Sequence, residues 1–324
     1  MGKNWEKKYD NKEAFIMKNG ADLLEQLIAS SNGKYNPILG FSTEELKIAT
    51  NNYDERYLIK EDFYFQKVYK GFLQDRSIFV MKFDHEYPMD SNAYQYYFNN
   101  IAFASQMRHK NILKLIGCCL ETQLPILVFE SVDYMTLDYH ICGLLRPHFD
   151  YLLLTQRLKI AMEIANAVAY LHVGFSRPIV FFGIRASTIL LDEEYVPKLC
   201  DFSVAESIPE GETRIKRLIG RVSSGEIGPD HLDERTDVYS FSALLFVLLS
   251  GQRIHEFMAN DRLGHENTPK RWFWEYLKKY NENYRYIEIV DPRTAGNGQC
   301  LKTEQQLQTF AKLMFKCISE SADN

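Results

Sequence analysis

The apolar pattern of this chain changes period once, near residue 135, and that change restricts it to a fold with a sheet-rich part followed by a helix-rich part. Upstream, residues 64–70, 77–83 and 126–130 are strand-like runs, with one helical pattern over 93–107 between the second and the third. Downstream, residues 155–172, 238–250 and 305–317 repeat their apolar positions every 3.6 residues. With 46% hydrophobic and 14% aromatic residues over 324 positions, both parts have enough apolar surface to form a core, which excludes wholesale disorder. The expectation is an α+β protein of two lobes, β-rich and then α-rich, without internal repeats.

Charge and cysteine usage narrow the setting. The 38 basic and 43 acidic side chains leave a net charge of −5, which does not suit a nucleic-acid-binding surface. The six cysteines, Cys118, Cys119, Cys142, Cys200, Cys300 and Cys317, have no Cys-x-x-Cys spacing, and the adjacent pair cannot readily bridge itself. A reducing cytosol fits them best. The charged start lacks a signal-peptide apolar core, and the most apolar run, 241–249, is far shorter than the roughly 20 residues a membrane span needs. Met1-Gly2 is similar to an N-myristoylation start, but Glu6 stands where that motif requires Ser or Thr. The chain is expected in the cytoplasm, reaching the plasma membrane only through partners.

Residues 1–18 alternate Lys, Glu and Asn with scattered aromatics, which reads as a solvated, frayed segment. After Asn19-Gly20-Ala21-Asp22, the spacing of Leu24, Leu27 and Ile28 predicts a short amphipathic helix with these three on one stripe, ending at Asn32-Gly33. Such a helix is too short to be stable alone, so the stripe must pack on a partner or on its own lobe, and Gly20 ahead of it would allow close backbone approach. Asn36-Pro37 leads to a second helix, where Ser42 and Glu45 form a capping box. The organisation is therefore an N-terminal extension over 1–40 and a domain over 41–324, with lobes at about 41–130 and 134–324.

Several segments carry a resemblance in collinear order: Phe41-Ser42 through Ala49-Thr50-Asn51-Asn52, Val68-Tyr69-Lys70-Gly71, Asn111-Ile112 through Gly117-Cys118-Cys119, Arg157 through Tyr170-Leu171-His172, and Asp237-Val238-Tyr239-Ser240-Phe241. Over roughly residues 41–320 the chain resembles eukaryotic protein kinases, in particular plant receptor-like and wall-associated-type cytoplasmic kinases. The resemblance implies the bilobal kinase fold. Activity has to be read from the individual site positions.

Read that way, most of the machinery is missing. Glu61, Phe63 and Gln66 occupy the places of the three phosphate-loop glycines, adding bulk and a carboxylate where phosphate would lie. Lys82 matches the strand lysine that holds the α- and β-phosphates, but Asn100 stands in place of its helix glutamate. In the run from Phe181 to Asp192, Gly183 replaces the catalytic aspartate, Thr188 the metal-binding asparagine, and Phe182 the arginine that reads a phosphorylated activation segment. Asp201-Phe202-Ser203 keeps one metal ligand of the Asp-Phe-Gly motif, so Lys82 and Asp201 are vestigial nucleotide positions and Gly183, Thr188 and Asn100 degenerate catalytic ones. Asp237 matches a buried structural aspartate. No bound metal and weak or absent ATP binding are expected.

Within that family, Asn19-Gly20 through Leu24-Glu25-Gln26-Leu27-Ile28, then Asn32-Gly33-Lys34 and Pro37-Ile38, resemble the plant cytoplasmic pseudokinases named for deficiency in effector-triggered immunity to an acetyltransferase effector. This resemblance implies an inactive adaptor. Its partners would be the leucine-rich-repeat domain of a coiled-coil nucleotide-binding immune receptor and receptor-like cytoplasmic kinases modified by bacterial effectors. Gly20, Leu24, Leu27 and Ile28 are the expected receptor contacts. Arg214, Lys216, Arg217 and Arg221, a basic run in the activation segment, are expected to dock an acidic or nucleotidylated partner surface. The alternative is a weakly active or atypical ATP-dependent serine/threonine kinase in plant signalling.

Overall fold

The computed structural model describes residues 2–31, 38–63, 66–73, 76–83, 93–132, 136–142, 151–216, 231–260, 277, 280, 285–295 and 301–322. Two compact units emerge, Met1–Asp133 with Cys200–Glu206, and Tyr134–Leu199 with Ser207–Asn324.

The first unit contains α1 (Gly2–Ser31), β1 (Leu39–Gly40), α2 (Thr43–Ala49), β2 (Leu58–Phe63), β3 (Gln66–Leu73), β4 (Arg76–Phe83), α3 (Ala93–Ala104), β5 (Leu115–Cys119) and β6 (Ile126–Glu130). Its six strands form one sheet in the order β1-β5-β6-β4-β3-β2, antiparallel except for the β1–β5 pair. Strand alternation puts Ile78, Val80, Ile126 and Val128 on one face, where they bury against Leu46 and Ala49 of α2. Helix α2 starts as expected: the Ser42 side chain accepts from Glu45 N–H, and the Glu45 carboxylate accepts from Ser42 N–H. Gly117 lets β1 come alongside β5, because a Cβ there would collide with the Leu39 carbonyl.

The N-terminal helix differs from the expectation in length and in facing. It is one helix of 30 residues rather than a short one after a frayed segment. No proline interrupts residues 2–31, and most of them are good helix formers, so propagation continues where polarity alone suggests fraying. Tertiary contacts hold it in place. Lys12 pairs with Glu121 at 2.7 Å, and the fully buried Asn19 donates to the carbonyls of Leu120 and Thr122 at 3.0 and 2.8 Å. Gly20 therefore lies inside the helix rather than ahead of it, with open space where its Cβ would project. The stripe also splits: Leu27 is 4% exposed and buried together with Leu23, whereas Leu24 and Ile28 are each 54% exposed. At about 100° per residue, Leu23 and Leu27 share one face with Asn19, and Leu24 and Ile28 share the next one round.

In the second unit, α4 (Leu137–Cys142), α5 (Leu154–Val173), β7 (Ile179–Val180), β8 (Ile189–Leu191), β9 (Pro197–Leu199), α6 (Glu234–Ser250), α7 (Ile254–Asn260) and a final helix, Leu301–Ala322, follow one another. Helix α6 is capped at its start by the Asp233 side chain on Arg235 N–H and stopped by Gly251 in the left-handed region at φ 65°. The fully buried Arg157 of α5 ties the unit together. It donates to the carbonyls of Leu152 and Leu248 and, at 2.7 Å, to Asp291, which also receives Arg293.

Candidate functional site

The retained lysine stands beside an aromatic ring. Lys82 lies two residues beyond Val80 and four beyond Ile78 on β4, so it projects on the face that α2 covers. Its ammonium sits 4.5 Å from the centroid of the Tyr53 ring, within range of a cation–π contact. Tyr53 belongs to a turn after α2 in which Asn51, Asn52 and Tyr53 all have positive φ. Asparagine tolerates that region; tyrosine does so at a cost, and here Thr50 holds the turn by donating to Leu46 C=O and accepting from Tyr53 N–H. The Tyr53 ring stacks edge-on with Tyr69 at 5.4 Å, and burial pushes its phenol up to about 12, so it stays neutral.

Asn100 is more than a lost glutamate. It is 1% exposed, its carbonyl oxygen accepts the Phe202 N–H at 3.1 Å, and its amide lies 3.4 Å from an Asp201 carboxylate oxygen. The neighbouring Asn99 donates to Ser203 C=O at 3.1 Å and accepts from Gln26 of α1. Ser203 N–H reaches Asp201 as well, at 3.2 Å. Two adjacent asparagines on α3 thus latch the Asp201-Phe202-Ser203 segment, with Asp201 at φ 72°, and α1 supports the latch from behind. Sequence reading missed Asn99, Gln26 and Tyr53. The available signal was the Asn99-Asn100 pair in a mostly apolar and aromatic helix, since buried amides require partners.

In the second unit, the loop after β7 carries the degenerate catalytic positions. The fully buried Asp237 of α6 shapes it as expected: one carboxylate oxygen accepts Phe182 N–H at 2.8 Å, and the other accepts Phe181 N–H at 2.8 Å and lies 2.9 Å from His172 Nε2. These bonds hold Phe182 at φ 55°, a strained conformation for a bulky residue. Its ring packs on the cluster of Val180, Ile208, Ile215 and Leu232. Where an arginine would read a phosphate, an apolar contact anchors the segment instead. Gly183 offers no side-chain base, and a Cβ there would come within 3.3 Å of the Phe181 ring. Thr188 is 2% exposed, and its hydroxyl is fully used. It lies 2.6 Å from the Gly183 carbonyl and 3.0 Å from that of Arg185, and it accepts the Arg185 N–H. A position that binds metal elsewhere here closes the loop on itself.

Of the basic run, Arg214 and Lys216 are exposed, Arg214 lies 3.5 Å from Asp233, and Ile215–Lys216 pairs antiparallel with His231–Leu232. Arg217 and Arg221 lie outside the described residues, as do the side chains of Glu61, Phe63 and Gln66. Among the described residues no group of three or more His, Cys, Asp or Glu is placed to hold a metal ion, and no helix is long and apolar enough to cross a membrane.

The family model for protein tyrosine and serine/threonine kinases matches residues 64–324. Among curated Arabidopsis thaliana proteins, the chain is 35% identical to Non-functional pseudokinase ZRK2, covering 90% of this chain and 81% of that one. It is 34% identical to Non-functional pseudokinase ZED1, covering 98% and 92%. It is 31% identical to Serine/threonine-protein kinase ZRK1, covering 98% and 90%. Similar chains therefore carry names on both sides of the activity question, and overall likeness does not decide it. The extent of these matches, over a sheet-rich unit and a helix-rich unit in the expected order, identifies the chain as a member of the protein tyrosine and serine/threonine kinase family.

Proposed function

We propose that this chain is a catalytically inactive plant pseudokinase that works as a cytoplasmic adaptor. It would join the leucine-rich-repeat domain of a coiled-coil nucleotide-binding immune receptor to receptor-like cytoplasmic kinases modified by bacterial effectors. The observation that carries the reading is the loop from Gly183 to Thr188, which has no carboxylate base and uses the Thr188 hydroxyl to close itself. Loss of a general base alone costs about 10²–10⁴ in rate. The names of ZRK2 and ZED1 support the inactive assignment. On α1, the exposed Leu24 and Ile28 offer an outward apolar edge for the receptor, and the exposed Arg214 and Lys216 suit an acidic partner. The name of ZRK1, with the retained Lys82 and Asp201, favours the alternative of a weak kinase.

Three measurements on the purified chain decide between them. Autophosphorylation with Mg²⁺ or Mn²⁺ should be absent, and stoichiometric labelling abolished by Lys82→Met would establish the kinase reading. Millimolar ATP with Mg²⁺ should leave the melting temperature unchanged, whereas a ligand at 100 times its dissociation constant would add about 2.7 kcal/mol. Leu24→Glu places a charge on an exposed position, so it should abolish receptor co-precipitation without lowering the melting temperature. Retained co-precipitation would remove this edge from the interface.

A further inference from the structure

The inward side of α1 forms part of a second feature, separate from its outward edge. A groove of about 1000 Å³ runs along β1, with Leu23 and Leu27 of α1, Phe41 and Leu120 among its apolar walls and Glu45 and Glu121 among its polar ones. Along it lies an open sheet edge. Strand β1 is the last strand on its side of the six-stranded sheet, and Leu39 and Gly40 are both exposed. Phe41 N–H bonds to Cys118 C=O at 2.9 Å, and the Leu39 carbonyl is directed at Gly117. Leu39 and Phe41 therefore direct their backbone groups toward β5, and strand alternation turns the N–H and C=O of Gly40 outward. Gly40 has no side chain, and nothing lies within 4 Å of where its Cβ would be.

An edge of this kind is a template for another strand unless a charge, a proline or a covering element blocks it. At Leu39 and Gly40 none of the three is present among the described residues, and most of the adjoining wall is apolar. The charge on the groove is also one-sided. Glu121 is neutralised by Lys12, while Glu45 accepts only from Ser42 within its capping box and has no cation partner among the described residues.

We infer that this groove binds an extended segment of a partner protein, which adds as a strand beside β1, sets apolar side chains between α1 and the sheet, and directs a Lys or Arg at Glu45. Backbone bonds at Gly40 supply affinity, and the apolar pocket with the single carboxylate supplies sequence preference. The site is separate from the receptor edge at Leu24 and Ile28 and does not depend on the adaptor reading.

The test pans a random linear peptide library against the full-length chain and measures the selected peptides by fluorescence polarisation. Enriched sequences should alternate apolar and polar residues with one basic position. Methylating the peptide backbone nitrogens on one alternate set should lower affinity about tenfold, as for a lost hydrogen bond, while methylating the other set should not. Glu45→Gln keeps the capping box and should weaken the basic peptide severalfold but leave its norleucine analogue unchanged. Gly40→Pro should weaken both peptides, and Leu24→Glu neither. The inference is overturned if no sequence is enriched, if methylation of either set has the same effect, or if Glu45→Gln changes neither peptide. Because Leu24→Glu is the variant that tests the receptor edge, failure here and failure there are read separately.

Discussion

Gly183 and Thr188 illustrate how one substituted residue removes chemistry while another acquires a structural task. Glycine removes a carboxylate and leaves the backbone in place; Thr188 binds its loop from within. Thr188→Val, which keeps the shape and deletes the hydroxyl, should lower stability by about 1–3 kcal/mol in urea unfolding, since the Gly183 carbonyl and the Arg185 N–H lose a buried partner. For the same reason Gly183→Asp combined with Thr188→Asn should give no measurable phosphotransfer. The new aspartate meets the Phe181 ring, and Lys82 stays beside Tyr53. Phosphorylation by that double variant would show that the lysine reorients readily. Gly20 gives the opposite sign. It sits mid-helix with open space around it, so Gly20→Ala should raise stability by about 0.5–1 kcal/mol, visible as a higher melting temperature. A loss instead would mean that α1 needs a bend there.

At the scale of elements, α3 and α1 together hold the Asp201 segment. Replacing Asn99 and Asn100 by alanine removes their bonds to the Phe202 N–H and the Ser203 C=O, so hydrogen exchange over residues 201–206 should accelerate by at least about tenfold. Unchanged exchange would mean that the latch contributes nothing to local order. The same helices show where sequence reading stops. Residues 24, 27 and 28 and residues 19, 23 and 27 both satisfy helical spacing, and periodicity cannot say which set faces inward until a neighbouring surface exists. Asn19 and Lys12, which settle the facing, find their partners near residue 121, beyond any local window. By contrast, the α2 capping box and three of the six strands, β3, β4 and β6, were readable, because their signals lie within a few residues of one another, whereas β1, β2 and β5 were not read.

For the whole molecule, the buried Arg157–Asp291–Arg293 network gives the clearest dependence on pH. Burial alone would raise the Asp291 carboxyl, but hydrogen bonds from Arg293 and then from Arg157 outweigh it and hold the group below its usual range. A carboxyl depressed in the fold stabilises it fully above its unfolded value of about 3.9. That contribution is lost as pH falls through the folded value. Asp291→Asn should therefore cost about 3–5 kcal/mol at neutral pH, because it leaves Arg157 buried without its counter-charge, and should flatten the acid limb of the stability curve. Equal loss at pH 7 and pH 3 would assign the effect to packing. The order of amino acids by itself determined the β-then-α architecture, the helix caps, and the absence of a base at Gly183, because each follows from residue type and short-range spacing. Tertiary structure alone decided that Lys82 faces Tyr53, that Asn100 serves the Asp201 segment, and that β1 leaves an edge beside an apolar groove. Those outcomes depend on which face of each element another element covers, and that is settled only when residues far apart in the chain are packed together.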